Sequence, residues 1–386
     1  MKLLVLNWCA YTQPDINQVF HQHHITYKQI NYCFNDKNYD DFFHRHFTKY
    51  LLADTYDAVF SVNYFPLIAQ VCYKQQVKYI SWSYDNPLNV PNIEDTLSYE
   101  TNYVFLFDRI QVASYQNKGY SNVYHLPLGV NPARLKQLVL SSEEQKKYSA
   151  EISFIGKLYT STFHDLLAPL DEYRKGYLRA ISEAQSKIYG YYFIDELLTD
   201  SLMNELNTIY RQATHSDSFY LSREQLSYSI ATNITHEERL MLLSLLSKRH
   251  QVHLYSNEMH PLLKNVIHHG TAKYTDEILK IYRASKINLN INLKISQSGM
   301  PLRTLDIMGA GGFLLSSYQP ELAENFIADE EIVFYTDIYE ALDKAAFYLS
   351  HDDLRNQIAM NGQNKTFEQF NYSRLLGIIF ETVGIS

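Results

Sequence analysis

The sequence predicts an α/β protein of two domains, each a parallel sheet wrapped by helices. Three observations carry this. Short apolar runs alternate with polar helical stretches, and the turn dipeptides that antiparallel hairpins need are missing between them. At 386 residues the chain is too long for one ordinary core and suits two of roughly 150 to 200 residues. The strand-and-helix rhythm also stops near the middle and starts again.

In chain order, "KLLVLNW", "ITYKQINY", "AVFSVNY", "VKYISWSY", "YVFLFD" and "VYHLPL" read as strands. Between them "DINQVFHQH" starts a helix after Pro14, and "FPLIAQVCYKQQ" sets Leu67, Ile68, Val71 and Cys72 on one helical face. After "HLPLGVNPARLKQLVL" the polar run "SSEEQKKYSA" breaks the rhythm and sets a domain boundary near Ala150; "EISFIGKLY" then opens the second domain. From about Thr162 to Arg249 the pattern is helical, an insertion whose charged run "DEYRKGYLRAISEAQSK" reads as a solvated face or an acceptor or partner contact. Strands return as "QVHLYS", "VIHHGTA", "INLNINL", "FLLSS" and "IVFYT", joined by helices such as "TDEILKIYRAS" and "MPLRTLDIMGA". The last stretch, from His351 onward, reads as two helices separated at Asn361 and Gly362. No fixed-period repeat is present, which excludes a solenoid.

Composition narrows the function. A formal charge of -8 argues against a nonspecific grip on nucleic acid or anionic lipid. No run approaches the roughly 20 apolar residues of a membrane span, and the opening "MKLLVLNWCAYTQPD" turns polar too soon for a signal peptide, so a cytoplasmic protein is expected. Cys9, Cys33 and Cys72 lack paired-ligand spacing and read as buried thiols. His21, His23 and His24, and His44 with His46, form clusters without the convergent ligands or "HExxH" pattern of zinc sites, and read as surface residues. The 33 tyrosines are spread evenly and read as packing.

The stretch "SGMPLRTLDIMGAGGFLL" holds four of the chain's 13 glycines, from Gly299 to Gly312. It follows a strand and opens a helix, the place where open parallel sheets gather ligands. Backbone N–H groups around Gly299, Met300 and Leu302 there suit an anion, with Pro301 in the first helical turn. Arg303 and Asp306 share a helical face. A cation for phosphate oxygens and a carboxylate for ribose hydroxyls is one account of them; an ordinary i, i+3 salt bridge is the other. Gly309, Gly311 and Gly312 end the helix and allow tight entry into the next strand. In the first domain, Asp85, between Tyr84 and Asn86 after a strand, suits an acceptor hydroxyl or a capped turn, and Asn63 ends a neighbouring strand.

These residues resemble the C-terminal donor-binding lobe of GT-B glycosyltransferases, in particular the CgeB-like, spore-maturation-type group within the broad retaining family. That family frames this loop and helix with two Glu residues separated by seven positions. Here the second is Asp306, one methylene shorter, and the first is Ser298, which departs from the pattern. "GMPLRTLD" matches the Gly, Pro and Arg that CgeB-like sequences place before the acidic residue. "EISFIGKLY" looks like the first strand and loop of the donor lobe, with Gly156 near the phosphates and Lys157 as a cation. The strands around "HLYSNE" and "HHGTAKYTDEILKIYRASKINLNI" place base recognition near Ser256 and Tyr274.

The resemblance implies a GT-B fold, two Rossmann-like domains facing across a cleft: residues 1–149 on the acceptor side, and 150–366 for the nucleotide sugar, with the helical insertion at about 162–249. Residues 367–386 would form a C-terminal helix packing back on the first domain. It further implies sugar transfer from a nucleoside-diphosphate sugar, a UDP-sugar by default, to a protein, surface glycan or small molecule, with retention of configuration. The implied catalytic residues are Asp85, Lys157 and Arg303. Gly156, Ser256, Tyr274, Ser298, Gly299, Met300, Pro301, Leu302 and Asp306 would bind donor, with Asn63, Tyr84 and Asn86 on the acceptor side. No "DxD" triplet is present to anchor a metal, so neither metal nor cofactor is expected. Two rival readings are a non-catalytic glycan-binding or partner-chaperone protein, kept open by Ser298, and a nucleotide-sugar epimerase.

Overall fold

The computed structural model describes residues 1–34, 36, 39–88, 90 and 93–385. The chain forms two compact units: Met1–Leu138 with Gly299–Gly309 and Asn364–Ser386, and Val139–Ser298 with Ala310–Gln363.

The sheet of the first unit contains β1 (Lys2–Asn7), β2 (Thr26–Asn31), β3 (Ala58–Val62), β4 (Lys78–Ser83), β5 (Asn102–Leu106) and β6 (Val123–His125). The order is β2-β1-β3-β4-β5-β6, with every pairing parallel. Val5 of β1 lies opposite Gln29 on one side and Phe60 on the other. Central β1 is therefore apolar and buried from Leu3 to Leu6, while the edge strand β2 carries Lys28, Gln29 and Asn31 and stays partly open, as an unpaired edge demands. Pro14 in the first turn of helix Gln13–Gln22, and the Asp40 carboxylate accepting from Phe43 N at the start of helix Asp41–Leu52, fix where helices begin.

The second unit repeats the plan with β7 (Ala150–Ile155), β8 (Val252–Tyr255), β9 (Ile267–His268), β10 (Ser285–Asn290), β11 (Leu314–Ser317) and β12 (Val333–Tyr335). Its order is β12-β11-β10-β7-β8-β9, again all parallel. Counted within the unit and from its other edge, this is the doubly wound order 3-2-1-4-5-6 of dinucleotide-binding folds. Between β7 and β8 the chain is entirely helical, in Phe163–Leu167, Glu172–Ser186, Ile194–Leu197, Asp200–Thr214 and Arg223–Leu246. These helices bury their own core around Leu178, Leu206, Leu226 and Ile230. Among the described residues no helix is long and apolar enough to cross a membrane.

All twelve sequence-predicted strands are present. Five other expectations need correction. The polar run placed before the boundary is a helix, Ser142–Tyr148, closed by a Ser141/Glu144 capping box, and it belongs to the second unit, where Glu144 pairs with Lys280. The division falls between Leu138 and Val139. The helix Leu302–Gly309, assigned from sequence to the second domain, belongs to the first unit. The helix Asp352–Gln369 runs straight through Asn361 and Gly362, and the break comes at Phe370 and Asn371, where Asn371 caps helix Tyr372–Val383 through Arg374 N. Finally, only Cys72 is buried; Cys9 and Cys33 are exposed.

Candidate functional site

In a doubly wound sheet the ligand crevice opens beyond the carboxyl ends of the strands where the order reverses. In the second unit that point lies between β7 and β10, which pair directly. Past β7, Gly156 N donates to Tyr255 O (3.0 Å). The amides of Leu158, Tyr159 and Thr160 then converge on the carboxylate of Glu258, Tyr159 at 3.0 Å and Thr160 at 3.5 Å. Tyr159 has a left-handed backbone (φ 60), which turns successive N–H groups to one side and makes an anion-binding nest. The carboxylate seated there marks the place as electropositive.

Three further side chains, Arg239, Glu238 and Lys294, hold this point together, and the sequence reading missed them. Arg239 rises from helix Arg223–Leu246 and is 2% exposed. Its guanidinium donates to the carbonyls of Lys157 and Ile291, joining the loop after β7 to the loop after β10, and lies 5.0 Å over Phe154 and 4.8 Å over Tyr159. Beside it Glu238 and Lys294 form a buried ion pair, Nζ to Oε2 3.2 Å. Tyr189 donates to Glu238 (2.9 Å), and its ring lies 3.4 Å from Lys294 Nζ. Burial pushes the Lys294 ammonium below its ordinary range, against the pull of Glu238. Lys294, Asn292 and Gln319 line a cavity of about 20 Å³, room for a single water. Asn292 Nδ2 and Gln319 Oε1 are buried there without hydrogen-bond partners. The signal available in sequence was a Glu–Arg pair immediately before an apolar helical run, "HEERLMLL".

Of the donor-side residues expected from sequence, Gly156, Lys157, Ser256, Tyr274 and Ser298 lie in the second unit. Lys157 is exposed beside the nest. Ser256 is buried, and its Oγ accepts from Glu258 N (3.1 Å), which steadies the residue occupying the nest. Tyr274 is half-buried and opens a π-helical turn, Tyr274–Ile278. Ser298 is fully buried and donates to Glu321 Oε1 (2.7 Å), so its side chain packs inward.

Gly299, Met300, Pro301, Leu302, Arg303 and Asp306 lie in the first unit with Asn63, Tyr84, Asp85 and Asn86. A network beyond β3, β4 and β5 gathers several of them. Asn63, in a left-handed conformation (φ 65), donates to Asp85 Oδ2 (2.7 Å) and accepts from the amides of Tyr84 (3.0 Å) and Asp85 (3.4 Å). Asn86 donates to Asp108 Oδ2 (2.8 Å), and Asp108 Oδ1 caps helix Arg109–Asn117. Tyr84 is half-buried against Trp8, its ring 6.0 Å away, and burial raises its phenol. Asp85 is exposed.

The Gly299 N–H, expected to face an anion, donates to a carboxylate of its own unit, Asp108 Oδ2 (3.2 Å). A Cβ at Gly299 would sit 2.7 Å from the Phe107 ring and 2.8 Å from its carbonyl, so this glycine admits close approach of the unit's own backbone. Met300 is buried, Pro301, Leu302 and Arg303 are half-buried, and Asp306 is 5% exposed. Gly311 does meet its expectation of a tight helix exit, with φ 80.

Two parallel six-stranded α/β units of this kind define the GT-B fold of glycosyltransferases. Residues 236–380 match the family described as glycosyl transferase-like. Among solved structures, sucrose-phosphate synthase from Thermosynechococcus elongatus is similar at a TM-score of 0.57 and 11% identity, covering 99% of each chain. A glycosyltransferase from Rickettsia africae gives 0.53 at 9% identity, covering 99% of this chain and 97% of the other. Anabaena HepE in complex with UDP gives 0.53 at 11% identity, covering 100% of both. No curated protein matches by sequence.

Proposed function

We propose that the chain is a cytoplasmic, CgeB-like glycosyltransferase that moves a sugar from a nucleoside-diphosphate sugar to a hydroxyl acceptor. In this proposal transfer retains configuration and needs no divalent metal, and the donor is a UDP-sugar. One observation carries it: three consecutive amides beyond β7, at the reversal point of a doubly wound sheet, already hold an anion, the Glu258 carboxylate. The donor diphosphate takes the carboxylate's place. Lys157 supplies positive charge as the leaving group becomes more negative, and Arg239 keeps the two loops in register. Ser256 and Tyr274 lie on the side of the base. In the first unit the exposed Asp85 carboxylate, held by Asn63, orients the acceptor hydroxyl. This pocket rests on the second unit. UDP is favoured because the similar HepE structure holds it.

Calorimetric titration with UDP, GDP and dTDP tests the reading. UDP is expected to bind, Lys157→Ala to weaken it about tenfold, and Glu258→Ala to tighten it severalfold by vacating the amides. Release of nucleoside diphosphate from a nucleotide-sugar panel should survive a chelator. Binding without release would favour the non-catalytic rival, and interconversion of sugars without release the epimerase.

A further inference from the structure

We propose that Cys9 and Cys33 form a reversible, oxidisable thiol pair at the carboxyl edge of the first unit's sheet. The inference stands independently of the donor site.

The two cysteines lie in equivalent places. β1 and β2 pair in parallel with Asn7 opposite Asn31 as the last register, and Cys9 and Cys33 each follow two residues later. That last register is closed by Tyr32 N donating to Asn7 O (3.0 Å). Each cysteine follows one of two neighbouring strands, whose backbones run about 4.8 Å apart up to that register. Both residues are exposed, and their thiols share a side-chain hydrogen bond, which raises the Cys33 thiol. In this proposal Cys9 is the sulfur that attacks and Cys33 the one that resolves. Cys9 is held in place: its N–H donates to Asn7 Oδ1 (2.9 Å) and its backbone is left-handed (φ 71). Cys72 makes the contrast, fully enclosed, with burial pushing its thiol up.

With a peroxide as oxidant, the Cys9 thiolate attacks one peroxide oxygen and the O–O bond breaks. This gives a Cys9 sulfenic acid and hydroxide, which leaves as water with the thiol's former proton. The Cys33 sulfur then attacks the sulfenic sulfur; the S–S bond forms, the S–O bond breaks, and the departing hydroxide takes the Cys33 proton as a second water. Two thiols and one peroxide become one disulfide and two waters. The bond would clamp the segment carrying Trp8, whose ring packs on Phe65 and Tyr84 at 6.1 and 6.0 Å, next to the Asn63–Asp85 pair.

The test is titration of the full-length protein with hydrogen peroxide, followed by thiol counting in denaturant, intact mass and peptide mapping. Expected are a fall from three free thiols to one, loss of two hydrogens, a Cys9–Cys33 cross-linked peptide and full reversal by dithiothreitol. Trp8 emission should change with the same peroxide dependence, and Cys72→Ser should change none of this. Cys33→Ser should instead leave a sulfenic acid on Cys9 that a dimedone probe captures. Three thiols surviving, oxidation of either cysteine without a cross-link, or a bond only between molecules would each overturn the proposal.

Discussion

The two units build the carboxyl edges of their sheets from opposite materials. The first gathers side chains: Asn63, Asp85, Asn86 and Asp108 form a network rich in acceptors, fit for hydroxyls. The second offers main chain: three amides after β7 present donors, fit for an anion. The difference follows from topology. In β2-β1-β3-β4-β5-β6 the loops after β3, β4 and β5 lie side by side, so three strands contribute one residue group each. In the second unit the reversal sits between β7 and β10, and a single loop with one left-handed residue does the work, braced from behind by Arg239.

The largest expected blow to this contrast falls on the second unit. Glu238→Ala leaves Lys294 as an unpaired buried cation and should cost about 3–5 kcal/mol. Hydrogen exchange should rise in β7 and β10 and stay unchanged in β1 and β3, whereas Glu238→Leu with Lys294→Met should restore most of the loss. If exchange rose equally in both units, the pair would not be the local brace described here. Next in size, Gly299→Ala drives a Cβ into Phe107 and Asp108, an overpacking cost of about 1–3 kcal/mol, with loss of protection in β5 of the first unit. Unchanged thermal stability would show that the approach is not tight.

The smallest effect sharpens the comparison at the far edge of the second sheet. His253 Nδ1 and His269 Nε2 lie 3.1 Å apart, and Tyr255 stacks on His269 at 4.6 Å. Burial lowers both imidazoles from the usual 6.5. As pH falls below that value the unfolded chain takes up protons first, so stability declines until pH passes the lowered folded values, and is fully present above about 6.5. The melting temperature should fall between pH 7 and 5, and fall less in His253→Gln. An identical pH profile in the variant would remove this pair from the account.

Most strands were legible because a short apolar or alternating run needs no distant partner to be recognised; β1 and β10 are visible as "LLVL" and "INLN". What stayed hidden depends on partners far along the chain. The role of Gly299 is set by Asp108, 191 residues away, and the burial of Ser298 by Glu321. Gly362 read as a helix breaker, but a lone glycine weakens a helix by only about 1 kcal/mol, too little to decide against eighteen residues of continuous turns. The cysteines were read as buried because spacing in sequence says nothing of register across two parallel strands.

The first unit is assembled from three pieces of chain, the last of them Asn364–Ser386. In that piece Phe380 packs on Phe20, Tyr372 meets Trp82, and Val383 O accepts from Lys78 Nζ. During synthesis on a ribosome, then, the half made first is the half that must wait: its opening strands emerge hundreds of codons before the helix that covers them. A nascent chain arrested short of that helix would expose this apolar surface to chaperones.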